Sequence, residues 1–422
     1  MNSSYKNYSR KQNYRILFVA PSSYPLLHAE SNVNAKVIKL LSEVGCSLDL
    51  ICRTPRKQNY TLNSKDDMFF GKVKSISSIT VNSAMDLKTV WRHFKTFFKF
   101  GVVYKGADWA YVAAEKCDEL VAKNKYDFVY TFDYPSELVG LYLAKKYRLK
   151  WVATWNDPYI WDKYPHPYGK GSNCKVNLMR RNLITMIGKY TFRNVFPSVR
   201  LRDYMLQYMK EIKKDGCVII PHVVCDELTN KIKRIRGEVL KIIHSGALGK
   251  ERDPQTLFEG MRIFIDSRPD VRVELSLLGV FERISGKYVV DLIKDYNLEE
   301  YVKLLPPVSY SESLDIVQNY DVCLVLEADL EVGIFLPSKI ADYLQVCKPI
   351  FSISPEVGLL NDEYKNGIID YFANVKSAKS IATELSKIYD DYEKDELGNA
   401  RKDDSKYHND AIIASHCLQI FN

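Results

Sequence analysis

Short apolar runs alternate with helical repeats along the first half of the chain. Arg15-Ile16-Leu17-Phe18-Val19-Ala20 reads as a buried strand. From Asn32 to Val44, the positions Val33, Val37, Leu40, Leu41 and Val44 recur at helical spacing, and Gly45 stops the helix. Ser47 to Cys52 is the next strand, and Asp127 to Thr131, Lys150 to Thr154, Arg193 to Phe196 and Cys217 to Ile220 continue the series. Trp109 to Lys123, Pro135 to Tyr147 and Arg200 to Glu211 carry helical patterns between them. Continuous apolar strands alternating with helices predict a parallel sheet covered on both faces.

The apolar runs then stop. Asp226 to Glu238 is charged, with Lys231, Lys233, Arg234 and Arg236, and reads as a linker. After it the pattern restarts. Leu240 to His244, Val271 to Leu278, Val302 to Leu304, Asp321 to Val325 and Pro349 to Ile353 are strands, with Gln255 to Ile265 among the helices between them. The chain therefore predicts two doubly wound, Rossmann-like α/β domains, residues 15–225 and 239–400, joined by the linker 226–238. They are expected to face a cleft at the carboxyl ends of their strands, where such sheets bind ligands. Residues 1–14 form a polar tail, and 401–422 a helix expected to pack back on the N-terminal domain.

Charge narrows the partners. A net charge of +8, spread along 422 residues, favours phosphates, nucleic acid or an anionic membrane. No zinc spacing, helix-turn-helix or RNP-like strand is present, so nucleic acid is not expected. The nine cysteines lack any C-x-x-C pair and point to a reducing compartment. Met1 to Tyr14 has no apolar signal core, and no run of about 18 apolar residues predicts a span. A cytoplasmic protein is expected.

The loops leaving the second set of strands carry the candidate chemistry. His244-Ser245-Gly246-Ala247-Leu248-Gly249-Lys250-Glu251-Arg252 is a glycine loop with two cations before a helix, which suits a phosphate. Its plainer reading is a glycine turn with two solvated cations. Gly279 ends the next strand, and Ser309 or Ser311 caps a later helix. Pro337-Ser338-Lys339 opens a helix with Asp342 one turn on. A lysine there runs against the helix dipole, which argues for an anionic ligand; otherwise it points into water. The histidines show no H-x-x-x-H or H-x-E pairing and no Asp-x-Asp sits at a strand end, so no metal is expected.

The stretch Leu87 to Tyr104 differs in kind. Lys88, Arg92, Lys95 and Lys99 recur on one side of a helix, and Trp91, Phe94, Phe98 and Val102 line the adjacent side. A basic, aromatic, amphipathic helix suits an anionic membrane surface. The alternative is a helix that packs its aromatics on its own domain.

Taken in order, these loops resemble the group-1 glycosyltransferases (family 4), of GT-B architecture. The family's glycine loop with a basic residue matches Gly246 and Arg252, and its strand-end glycine matches Gly279. Its "EAMACGKPV"-like helix matches Asp342 to Ile350, with Cys347 where glycine is usual. Lys125 to Tyr130 and Lys150 to Tyr159, which includes Trp155-Asn156-Asp157-Pro158-Tyr159, are similar to runs in the subgroup that builds bacterial surface polysaccharides. The pattern also departs from the family. The first glutamate of E-x7-E falls on Ile334, with Glu331 and Glu327 nearby; Ala247 replaces an arginine, whose charge Lys250 is expected to supply.

The resemblance implies a retaining transferase that moves sugar from a nucleotide-sugar donor, expected to be UDP-linked, to a lipid-linked glycan. No cofactor is expected, and the basic aromatic helix adds the expectation of peripheral attachment at the inner face of the cytoplasmic membrane. The donor residues would be Gly246, Lys250, Arg252, Gly279, Ser338, Lys339, Asp342 and Glu331. Arg252 and Lys339 would neutralise the leaving pyrophosphate, and Asp157 would orient the acceptor, cap a helix or hold its loop. Two other readings are a sugar-nucleotide 2-epimerase and a non-catalytic scaffold that binds nucleotide sugar at the membrane.

Overall fold

The computed structural model describes residues 13–23, 29–54, 73–81, 87–132, 134–225, 236–399 and 403–421. The expected tail 1–14 and linker 226–238 fall largely outside these residues. The chain divides into two compact units. Unit 1 is Met1–Tyr164, Gly171–Val223 and His408–Asn422; unit 2 is Pro165–Lys170 and Val224–Tyr407.

Unit 1 is built on seven parallel strands: β1 (Arg15–Val19), β2 (Ser47–Arg53), β3 (Ser75–Ile79), β4 (Phe128–Phe132), β5 (Lys150–Thr154), β6 (Arg193–Phe196) and β7 (Cys217–Ile219). Their order is β3-β2-β1-β4-β5-β6-β7. Around the sheet lie α1 (Ala29–Glu43), α2 (Leu87–Phe100), α3 (Ala107–Lys123), α4 (Ser136–Tyr147), α5 (Leu178–Tyr190) and α6 (Val199–Leu206). Helix α4 lies close on the sheet because Gly140 has no side chain: a Cβ there would stand 2.3 Å from the Trp151 indole. The indole in turn donates to Thr131 Oγ1 at 2.8 Å, so its polar edge is satisfied in the core. Helix α2 stops at Phe100 because Gly101 turns left-handed at φ 72°.

Unit 2 has six parallel strands: β8 (Leu240–Ser245), β9 (Val273–Leu278), β10 (Val302–Leu305), β11 (Val322–Leu326), β12 (Ile350–Ser354) and β13 (Tyr371–Asn374). Their order is β10-β9-β8-β11-β12-β13. Its helices are α7 (Gln255–Ser267), α8 (Val289–Asp295), α9 (Tyr310–Val317), α10 (Lys339–Gln345), α11 (Leu359–Lys365) and α12 (Ala378–Glu393). Leu240, Ile242, Leu275, Leu324 and Phe351 of the sheet share one buried core with Phe258 and Phe264 of α7 and Ile381 of α12. Helix α13 (Asn409–His416) closes the chain in unit 1, where Phe421 packs on Tyr14 at 4.8 Å and on Phe128 at 5.2 Å.

The α/β class and both doubly wound sheets agree with the sequence reading. The edge strands β3 and β13 were not expected. Ser75-Ile76-Ser77-Ser78-Ile79 has three serines and is half-exposed, and β13 has only four residues, so neither shows a buried apolar run. Both sheets reverse strand order once, between β1 and β4 in unit 1 and between β8 and β11 in unit 2. Loops leaving the carboxyl ends at such a point splay apart and leave room for a ligand.

Candidate functional site

At the unit-2 reversal, Gly246 follows β8 with φ 150° and Gly279 follows β9 with φ 146°. Their backbones are in contact. The Gly246 N–H donates to Leu278 O at 2.7 Å, and a Cβ on Gly279 would lie 2.6 Å from Gly246 O. Only glycine fits at this approach. The Lys339 ammonium lies over the loop, since a Cβ on Gly246 would stand 2.3 Å from its Nζ. The residue as a whole is half-buried. Desolvation of its ammonium, helped by the nearby Arg252 charge, lowers the Lys339 pKa to about 8, although Asp342 and Glu327 pull it upward.

Two further groups face this loop. His244 is buried, with Nδ1 3.1 Å from Leu324 O. A carbonyl only accepts, so the ring proton sits on Nδ1 and Nε2 carries a lone pair. That Nε2 is buried without a partner. Burial and the Lys339 charge push the His244 pKa down to about 3, so the ring is neutral. Glu327, one residue past β11, is 2% exposed. Its Oε1 accepts from Arg252 Nε at 3.3 Å, the Tyr168 hydroxyl at 3.0 Å and the Ala328 N–H at 2.8 Å. Its Oε2 is buried without a partner, so capacity for a donor is left over.

Several expected donor residues stand differently. Lys250, expected to supply the charge missing at Ala247, has a side chain that is 76% exposed and pairs with Glu251 at 3.4 Å. Lys339 is the cation that lies over Gly246. Glu331 is exposed, and Glu327 rather than Glu331 reaches Arg252. Asp342 already accepts the Tyr310 hydroxyl at 2.6 Å through Oδ1. Ser338 precedes α10 without a side-chain cap bond, and α10 has only seven residues, so a dipole argument for Lys339 is weak. The misfit of Lys339 is its desolvation beside Arg252. Ser309, not Ser311, caps α9, with Glu312 returning the bond. Cys347 sits at φ 55°, which explains why glycine suits that position.

Unit 1 contains a cavity of about 400 Å³ at the ends of β4 and β5. Glu137, in the first turn of α4, lines it and is 2% exposed. Its Oε1 accepts the Tyr104 hydroxyl at 2.5 Å and the Tyr159 hydroxyl at 3.1 Å. Burial raises the Glu137 pKa to about 7, against the lowering effect of the two tyrosines. Tyr104 stacks on Tyr134 at 4.6 Å, and Thr154 Oγ1 is buried without a partner. Ile160, also on the wall, is a β-branched residue at φ 59°, a conformation that costs on the order of 1–3 kcal/mol and is retained mainly where function demands it. Asp157 is exposed at the wall, with Trp155 and Tyr159 nearby. Glu137 and Tyr104 escaped the sequence reading because an acid in a helix's first turn is ordinary.

Helix α2 keeps its aromatic side on the surface and turns part of its basic side toward the domain. Leu87, Val90, Trp91, Phe94, Phe97 and Phe98 are exposed, Phe98 by 70%. Two of the four expected lipid-facing cations point inward. Arg92 pairs with Asp108 at 3.4 Å, and Lys99 Nζ lies 4.8 Å and 4.5 Å from the ring centres of Tyr111 and Tyr142. Lys88 and Lys95 are exposed. Val102, expected on the aromatic side, lies beyond the helix and is buried. No helix among the described residues is long and apolar enough to cross a membrane.

Two parallel-sheet Rossmann-like domains in one chain define the GT-B architecture. Among solved structures, the chain is similar to HepE of Anabaena, determined in complex with UDP and glucose, at 13% identity over 95% of each chain with a TM-score of 0.62. It is also similar to a glycosyltransferase of Rickettsia africae, at 14% identity over 97% of this chain and 94% of that one, TM-score 0.62. A putative UDP-N-acetylglucosamine 2-epimerase of Listeria monocytogenes shares the fold at 12% identity over 96% of this chain and 97% of that one, TM-score 0.55. No protein-family model and no curated protein matches the chain. Likeness at these identities establishes the fold, and this fold serves more than one reaction.

Proposed function

We propose that the chain is a retaining, metal-independent glycosyltransferase. It takes a UDP-linked sugar in unit 2 and passes the sugar to a lipid-linked glycan in surface polysaccharide synthesis. The reading rests on one observation: two glycine backbones open at the unit-2 strand reversal, with the Lys339 ammonium over one of them and Arg252 close by. Fixed cations at a dry backbone loop stabilise charge as it develops on a leaving diphosphate. Lys339 and Arg252 take that role, Glu327 Oε2 and His244 Nε2 accept hydroxyl donors, and Asp157 orients the acceptor. HepE, with the same fold, was determined with UDP and glucose, which supports the choice of base.

The exposed aromatic face of α2, flanked by Lys88 and Lys95, supports peripheral attachment to an anionic membrane on the cytoplasmic side. Calorimetry with UDP in the presence of EDTA is the test, and binding that needs magnesium would overturn the site. The Listeria likeness keeps 2-epimerisation as the second reading. Incubation with UDP-sugars and vesicle-borne acceptor separates the two, because a transferase releases free UDP and an epimerase returns an altered nucleotide sugar.

A further inference from the structure

One short segment has an assignment its neighbours do not share. Pro165–Lys170 belongs to unit 2, whereas Tyr164 and Gly171 on either side belong to unit 1. The ends of the segment are drawn together: the Gly171 N–H donates to Tyr164 O at 2.7 Å, with Gly171 left-handed at φ 88°. Inside it, the Gly169 N–H donates to Pro165 O at 3.0 Å. The residues beside its neck are pinned as well. Lys163, 6% exposed, donates through Nζ to the carbonyls of Ser172 and Cys174, and its own carbonyl accepts the Tyr204 hydroxyl at 2.8 Å. A loop tied at its ends and across its middle holds its tip in one place.

The tip carries Tyr168. Its hydroxyl donates to Glu327 Oε1 at 3.0 Å, its ring meets Phe335 edge-on at 5.5 Å, and the Arg252 guanidinium lies 6.0 Å from the ring centre. Burial, and then the Glu327 charge, push the Tyr168 pKa up, so the hydroxyl stays a donor. The donors on Glu327 are unevenly shared. Oε1 takes three, from Tyr168, Arg252 and the Ala328 N–H, while Oε2 is buried and takes none. A carboxylate that served only to tie the loops together would gain by spreading its donors over both oxygens. Arginine in particular favours a two-pronged pairing, one nitrogen to each oxygen. Tyr168 opposes that arrangement. It anchors Oε1 and backs the guanidinium with its ring, so Oε2 is left as an acceptor.

We propose that Tyr168 is a positioning residue of the unit-2 site, fixing Glu327 so that its Oε2 accepts a hydroxyl of the donor's sugar. The proposal deepens the transferase reading and rests on it for the identity of the ligand. Phenylalanine at this position keeps the ring beside Arg252 and removes only the hydroxyl. The test is calorimetry on the full chain at pH 7 with UDP, UDP-glucose, UDP-galactose and UDP-N-acetylglucosamine, with a melting curve for each variant. Tyr168→Phe should weaken at least one UDP-sugar about tenfold, the loss expected for one hydrogen bond to a charged group, and should change UDP less than about twofold. Glu327→Gln should weaken the same UDP-sugar at least as much. Adding Tyr168→Phe to Glu327→Gln should then cost less than about twofold more, because both residues act on one contact. A tyrosine that merely packs its loop predicts a lowered melt and an equal loss for UDP and the UDP-sugars, and that result overturns the proposal. So does an unchanged UDP-sugar affinity in Tyr168→Phe, a fully additive loss in the double variant, or a parent that binds UDP but no UDP-sugar. All of these leave UDP binding, and with it the donor loops, in place. A parent that binds neither UDP nor any UDP-sugar overturns the donor reading itself, and the role of Tyr168 falls with it.

Discussion

Replacing Glu137 with glutamine isolates what it takes to hold a carboxylate in the unit-1 cavity. The side chain is 2% exposed, and its pKa is raised from 4.5 to about 7, chiefly by burial. A raised folded pKa means that the folded state holds the proton more tightly. Stability from this group is full below about pH 4.5, falls as pH rises toward 7, and is flat above. The rise is 7 minus 4.5, and at about 1.36 kcal/mol per pH unit the loss is about 3 kcal/mol. Glutamine keeps the shape and an oxygen for Tyr104 and Tyr159 but has no charge to desolvate. Glu137→Gln should therefore match the parent near pH 4.5 and exceed it at pH 8. At about 2–4 °C per kcal/mol for a domain of about 150–250 residues, the gain is about 6–12 °C. Tryptophan fluorescence reads it cleanly, because all five tryptophans, Trp91, Trp109, Trp151, Trp155 and Trp161, belong to unit 1. Other groups face Glu137 or share its cavity: Tyr104, Tyr134, Tyr159, Glu30, Asp157 and Arg180. They are present in both proteins and cancel in the difference. A melting difference that is the same at pH 5 and pH 8 would refute the buried-carboxylate account.

The donor loops make a parallel prediction. Lys339→Met should raise the melting temperature of UDP-free protein at pH 7, where the desolvated ammonium is charged, and the difference should shrink as pH rises past 8 toward 10.5; UDP affinity should fall at least about tenfold by calorimetry. Gly279→Ala should destabilise unit 2 by about 2 kcal/mol or more in denaturant melts and abolish UDP binding, since the new Cβ meets Gly246 O at 2.6 Å with φ 146°. For α2, exchanging Trp91, Phe94 and Phe98 together for serine should remove the protein from anionic vesicles in co-sedimentation without lowering the unit-1 melt. Lys88→Gln with Lys95→Gln should weaken vesicle binding by about 1 kcal/mol per lysine at low salt, whereas Arg92→Gln should lower stability because it breaks the pair with Asp108.

The sheets were legible because parallel strands buried on both faces leave continuous apolar runs, as in Phe128 to Phe132 and Val322 to Leu326. Strands at the edge, such as β3, lack that signature. Gly246, Gly279 and Lys339 were legible as loop chemistry after strands, and the structure brings them together. Which of several nearby like residues reaches the loop was not. Glu327 and Glu331 are four positions apart, and only the fold decides that one is buried against Arg252 and the other exposed. Helix α2 shows the same limit in another form. Its spacing gave the right amphipathic faces, but periodicity cannot say which face meets the domain. The buried threonines Thr89 and Thr96, together with the Asp108 carboxylate and the rings of Tyr111 and Tyr142, draw Arg92 and Lys99 inward.

Three groups in this molecule are held against their own preference. Glu137 is a carboxylate pushed toward neutrality, Lys339 an ammonium drawn down to about 8, and Ile160 a β-branched residue at φ 59°. Each destabilises the fold, and a chain selected for stability alone would carry glutamine, methionine and glycine there. All three line the two places where strand ends open, one in each unit for the charged pair. Strain gathered at loops where strand ends open is what a ligand would offset. A diphosphate supplies the anion that Lys339 lacks, and a hydroxyl supplies a donor to Glu137. The ligand-free melts are therefore the more searching measurements, because they ask for stability to rise when these residues are removed, an outcome that a purely structural role for Glu137 or Lys339 does not produce.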